Sequence, residues 1–144
     1  MAAETLSTEH LGLWRTILRA RATIVGEVED ALIEAGLPPL AWYDVLWPLA
    51  ENGPLRMGEL ADRVVTVGRT GLSRLVDRLE NDGAVRRDAS GEDGRVVVVS
   101  ITRSGRRTLS RIWRVYEQAL VEHLAGVFSE QDARYLAERL RALG

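Results

Sequence analysis

The 144-residue chain has no cysteine and no lysine, only two histidines and four prolines, and a single phenylalanine. Without cysteine there is no disulfide scaffold, thiol redox sensor, thiolate nucleophile or thiolate metal site. His10 and His123 stand alone, with no paired-ligand spacing, glycine-rich phosphate loop or patterned nucleophile around them. Neither a metal, a cofactor nor an enzymatic role is therefore expected. No stretch approaches the roughly 20 apolar residues of a membrane span, and the opening MAAETLSTEH carries acids where a signal peptide has an apolar run. The expectation is a cytoplasmic protein with no membrane partner. What remains, 46% apolar and 28% charged, is the composition of a globular chain with enough length for a core.

The missing lysine makes all 19 cations arginine, a planar bidentate donor suited to phosphate and to guanine. A net charge of −2 argues, taken alone, against a nucleic-acid partner. Its distribution argues the other way. Residues 1–62 hold 4 arginines against 10 acids (−6), residues 63–114 hold 12 against 6 (+6), and residues 115–144 hold 3 against 5 (−2). A basic middle between acidic ends suggests an anionic partner for the middle.

Apolar residues from Leu13 to Leu32 recur at helical spacing and predict a long first helix ending near Gly36, before Pro38 and Pro39. A second helix, AWYDVLWPLAEN, contains Pro48, which should kink it or end its regular bonding. A short third helix from Met57 and a fourth from about Arg69 follow. Leu72, Leu75, Val76 and Leu79 make one apolar stripe on the fourth helix, and Asn81-Asp82-Gly83 closes it. Its opposite face carries Thr70, Ser73, Arg74 and Asp77, flanked by Arg69 and Arg78. Val85 and Val96–Ile101 predict a two-stranded ribbon with an arginine at its tip. Thr102 is the N-cap of a long helix, and Ser129 opens a last one containing Leu136, Leu140 and Leu143. The fold class is mainly α with a small antiparallel β wing. Residues 37–102 have the element order of a winged helix-turn-helix, between an N-terminal helix (1–36) and C-terminal helices (103–144). Gly58, Ala61 and Gly71 are small enough for the close packing that such a motif needs.

These residues also resemble the MarR-type transcriptional regulators. ELADRVVTVGRTGLSRLVDRLENDGAVRR is similar to their helix-turn-helix, and Asp93-Gly94-Arg95 followed by Ile101-Thr102 is similar to their wing signature, Asp-x-Arg-x5-Leu-Thr. Ile101 replaces the usual leucine. Gly68 stands where a serine often caps the recognition helix, and Pro48 is a further departure. Chemistry and resemblance together imply that Arg69, Thr70, Ser73 and Arg74 face the major groove of double-stranded DNA, with Arg78 on the flank also binding DNA. Arg95 at the wing is directed to the minor groove and Asp93 orients its guanidinium. Arg86 and Arg87 are adjacent in a strand and point to opposite faces, so only one, Arg86, is assigned to DNA. Asp77 either accepts from a cytosine amine or holds a neighbouring arginine. The bland alternative is that Arg74 pairs with Asp77, and Arg78 with Asp82, on a solvated face.

The terminal helices exceed what a winged helix needs to cover its own core, which implies a homodimer with Leu13, Ile17, Leu136, Leu140 and Leu143 at the interface. The family resemblance implies a small aromatic or phenolic effector in a cleft that His10, Trp14, Trp42, Tyr43 and Trp113 could line; as single residues these more often fill cores. The expected function is a dimeric, ligand-responsive repressor that binds a near-palindromic operator. The alternative is a protein-interaction module presenting the same arginine face to an acidic partner.

Overall fold

The computed structural model describes residues 5–64, 66–90 and 94–144. The elements run α1 (Thr8–Glu34), α2 (Leu40–Asn52), β1 (Leu55–Arg56), α3 (Met57–Arg63), α4 (Arg69–Asn81), β2 (Val85–Ser90), β3 (Val96–Ile101), α5 (Arg103–Leu120) and α6 (Glu130–Leu140). A π-helical turn, Val121–Ala125, follows α5, and a 3₁₀ turn, Arg141–Leu143, follows α6.

Local chemistry sets most of these boundaries. The α4 helix closes where Gly83 takes φ +81°, so that its N–H reaches the Glu80 carbonyl and the next N–H, of Ala84, reaches that of Leu79. That double closure needs a left-handed residue, which glycine supplies without strain. Gly36 ends α1 in the same way. The N-terminus of α5 is capped by Thr102, whose Oγ1 accepts from the Gly105 N–H at 3.0 Å. Ser129 Oγ accepts from Asp132 N–H at 3.1 Å and opens α6.

Two expectations are corrected. Of the two effects expected of Pro48, a kink or an end to the helix, the second does not occur: α2 runs unbroken to Asn52. Its ring is buried alongside Val45, Leu46 and Leu49, and Asn52 Nδ2 donates to the Pro48 carbonyl at 2.8 Å, so burial and a side-chain bond offset the missing N–H. The ribbon is three-stranded, in the order β1-β3-β2 and antiparallel throughout. The β1 strand is two residues beside Gly53-Pro54, too short to show an alternating pattern.

The unit Leu32–Val115 holds the winged-helix core. Val45, Leu46 and Leu49 of α2, Leu60 of α3, the predicted stripe Leu72, Leu75, Val76 and Leu79 of α4, and Leu55, Val85 and Val99 of the sheet form one buried cluster. In the register Val85↔Ile101 and Arg87↔Val99, these four residues share the core face, and Arg86 with Ser100 takes the outer one.

The other unit comprises Met1–Ala31 and Tyr116–Gly144. Within it His123 pairs with Glu27, Val28 is fully buried, and α6 buries none of its residues. Twelve of the fifteen large apolar side chains that are exposed among the described residues belong to this unit, Leu13, Leu136, Leu140 and Leu143 among them; Ile17 is half-buried. Among the described residues of this unit Val28 alone is buried.

Candidate nucleic-acid interface

The four buried positions of α4 turn its other face to solvent, so Arg69, Thr70, Ser73, Arg74, Asp77 and Arg78 are all exposed together. The helix starts at Gly68, which offers no side-chain cap, and its first turn contains no acid. The first N–H groups and the positive end of the helix dipole are thus left to an external anion. Among the described residues, Arg69, Arg74 and Arg78 have no ion-pair partner. The pairings Arg74–Asp77 and Arg78–Asp82 are absent.

Asp77 is occupied elsewhere. Arg87 sits on the core face of β2 and sends its guanidinium across to α4, where Nη2 donates to Asp77 Oδ1 and, at 3.1 Å, to Glu80 Oε1. The Arg87 backbone N–H donates to Glu80 Oε2 at 2.8 Å. This clamp fixes β2 to α4 and withdraws Asp77 from Arg74. The sequence offered Asp77 as a holder of some arginine but did not identify Arg87, because the partners meet only through the strand register.

The backbone N–H of Arg87 first, and its guanidinium second, hold the Glu80 carboxyl below the ordinary glutamate range. A carboxyl whose folded pKa is depressed stabilises the fold above its unfolded value, near 4.3, and that stability is lost as pH falls through the folded value. Glu80→Gln is therefore expected to lower stability at pH 7 by more than at pH 3.5 to 4. Urea denaturation at both pH values checks this; an equal deficit at each would contradict the clamp.

On the wing, Arg86 is largely exposed on the outer face and pairs with Asp88 at 3.1 Å. Its opposite orientation to Arg87 agrees with the expected alternation. Arg95 is exposed beside Gly94, directly before β3. Asp93, expected to orient Arg95, lies outside the described residues.

Of the aromatic residues, Tyr43 and Trp113 stack with ring centroids 5.7 Å apart. With Trp47, Leu109 and Ser110 they line an open hollow of about 410 Å³. Trp42 packs instead against the core cluster. Trp47, absent from the sequence-based set, was signalled by its i, i+4 spacing from Tyr43, which puts both on one helix face. His10 and Trp14 lie on α1; His10 belongs to its capping turn, donating its N–H to Ser7 Oγ at 3.1 Å.

A sequence model of the MarR family matches residues 35–96. The HTH-type transcriptional repressor IacR of Pseudomonas putida is 32% identical over 118 residues, covering 82% of this chain and 70% of that protein. The HTH-type transcriptional regulator MhqR of Bacillus subtilis is 25% identical over 96% of this chain and 94% of its own. Among solved structures, Sco3205, a MarR family transcriptional regulator from Streptomyces coelicolor in complex with DNA, superposes with a TM-score of 0.87 at 27% identity, covering 99% of this chain and 89% of that one.

Proposed function

The chain belongs to the MarR family of DNA-binding transcriptional regulators, and from that premise we propose that it acts as a homodimeric repressor in the cytoplasm, binding a near-palindromic operator and releasing it when a small aromatic or phenolic ligand binds. The observation that carries this reading is the α4 face: three arginines without ion-pair partners among the described residues, two hydroxyl side chains and an uncapped, acid-free helix start. Arginine pairs bidentately with guanine O6 and N7 or with phosphate, and Thr70 and Ser73 bond bases or phosphates. Arg95 would follow the minor groove and Arg86 the adjoining backbone.

A second copy is supported by the terminal unit. Leu13, Leu136, Leu140 and Leu143 are exposed there, and α6 buries nothing within one chain. Isologous pairing would cover these side chains, with residues 1–36 and 103–144 as the dimerisation segments, and would set two α4 helices about one DNA turn apart. The effector site is supported by the hollow at Tyr43, Trp47 and Trp113, walled by aromatic rings and within the size range of small-molecule sites. A ligand there lowers DNA affinity only by preferring the form that does not fit the operator. No observation favours an acidic protein as the partner of the arginine face.

Sedimentation equilibrium and footprinting on the DNA upstream of the chain's own gene test the proposal together. The expected results are a mass of twice 16.0 kDa and a protected site with two half-sites about 10 bp apart centre to centre. A monomer mass at micromolar concentration would end the dimer reading. Absence of salt-sensitive, sequence-preferring protection would end the operator reading.

A further inference from the structure

The first three turns of α5 carry charge that neither the core nor the helix explains. Arg103, Arg106, Arg107, Arg111 and Arg114 line one groove with Ser110, on the side of the helix opposite buried Gly105 and Ile112. No acid occurs between Arg103 and Glu117. Among the described residues none of the five arginines has an ion-pair partner. Pairs such as Arg103–Arg107 and Arg107–Arg111 are like charges at i, i+4, which repel across one helix face. Arg103 and Arg106, in the first turn, also stand at the positive end of the helix dipole, where cations are unfavourable. Such an arrangement is relieved by an anion from outside the fold.

The position of this face selects the anion. Thr102, immediately before α5, donates its Oγ1 hydroxyl to the Gly83 carbonyl and its N–H to the Ala84 carbonyl at 3.0 Å, so α5 starts at the turn that ends α4. On the outer face of the sheet Arg86 lies opposite Ser100, and β3 then leads through Thr102 into Arg103. The 13 residues of α4 span about 20 Å, while the major groove is about 12 Å wide. With the N-terminal turns of α4 in the groove, its C-terminal turn and the start of α5 would stand at the phosphate wall.

We propose that the arginine face of α5 is a second, sequence-independent DNA contact that grips the phosphates flanking the operator. It rests on the reading of α4 as the recognition helix. Base pairs under α4 and the wing would set specificity, and the α5 face would add affinity that grows with duplex length and falls with salt.

The test compares two duplexes: the footprinted core alone, and the core with about 12 bp of unrelated sequence on each side, a little over one helical turn. Wild type is expected to bind the longer duplex about tenfold more tightly near 0.1 M salt, with a salt slope steeper by about 3 to 5. The triple variant Arg103→Gln/Arg107→Gln/Arg111→Gln should bind the core duplex as wild type does and lose both the length increment and the extra slope. The corresponding triple lysine variant should keep them, since phosphate contact needs the charge and not the fork. The glutamine variant should melt no lower than wild type at low salt, because it removes repulsion; a lower melting temperature would show that these arginines support the fold and overturn the premise of uncompensated charge. A length increment that is absent in wild type, or intact in the glutamine variant, overturns the α5 contact and leaves α4 untouched; the first result is the one expected if an acidic protein were the true occupant. Failure of wild type to prefer the core over an unrelated duplex of equal length overturns both readings.

Discussion

Gly105→Ala is expected to disrupt the DNA-binding unit more than a methyl group added at any other described glycine. An added Cβ would overlap the Ala84 carbonyl oxygen and approach Ile101 Cγ1 to 2.9 Å and the Ala84 carbonyl carbon to 3.0 Å. The obstructing atoms are mainly backbone and are fixed from both sides. The Ala84 carbonyl accepts from Thr102 N–H at 3.0 Å, the Ala84 N–H donates to Leu79 at 2.8 Å, and Ala84 is fully buried. Relief therefore requires α5 to lift from the end of α4, breaking the bonds that Thr102 donates to the Gly83 and Ala84 carbonyls. Overpacking against rigid surroundings costs about 3 kcal/mol, which for a unit of this size lowers the melting temperature by roughly 12 to 24 °C. Gly58→Ala is the control: nothing lies within 4 Å of its Cβ position, and its φ is not in the left-handed region. Alanine favours the helix over glycine, so this variant should melt at or slightly above the wild-type temperature. Thermal denaturation of the two proteins decides the matter, and equal melting temperatures would refute the close approach at Gly105.

That contrast marks where the sequence could be read and where it could not. The stripe Leu72, Leu75, Val76 and Leu79, the helix ends at Gly36 and Gly83 and the caps at Thr102 and Ser129 were legible because each depends on neighbours within one turn of helix. The need for a small residue depends on what a distant segment brings against it. It was expected at Gly58 and Gly71, yet Gly58 faces open space and Gly71 has only an ordinary contact, 3.6 Å, with Val67. Ala61 does pack against the core. The same distinction explains the Arg87 clamp. Alternation along β2 separated Arg86 from Arg87 correctly, but which acids the inward arginine meets depends on how the sheet packs on α4. Pro48 failed as a breaker for a related reason: local bonding predicts a loss there, and core burial outweighs it. The second strand pairing of β3 was illegible because β1 owes its conformation to that partner.

The arginine face of α4 carries the second large effect. Arg74→Ala is expected to raise the operator dissociation constant by about two orders of magnitude at fixed salt. A bidentate arginine contact contributes about 1 to 3 kcal/mol, and a twofold-symmetric dimer would lose it at both half-sites. Arg74 is exposed and without an ion-pair partner among the described residues, so its removal should leave the melting temperature nearly unchanged. Asp77→Asn separates the two roles open to its carboxylate. If Asp77 serves only to hold Arg87, then Glu80 still anchors that guanidinium and the variant binds DNA as well as wild type or somewhat better, having lost one negative charge from the DNA-facing side. If Asp77 accepts from a cytosine amine, the variant instead loses affinity for the operator while keeping it for unrelated DNA. The clamp geometry favours the first outcome, because the carboxylate is already committed to Arg87. Anisotropy titrations of both variants against operator and unrelated duplexes measure the difference. An Arg74→Ala protein that still binds its operator at wild-type affinity would remove Arg74 from the recognition surface.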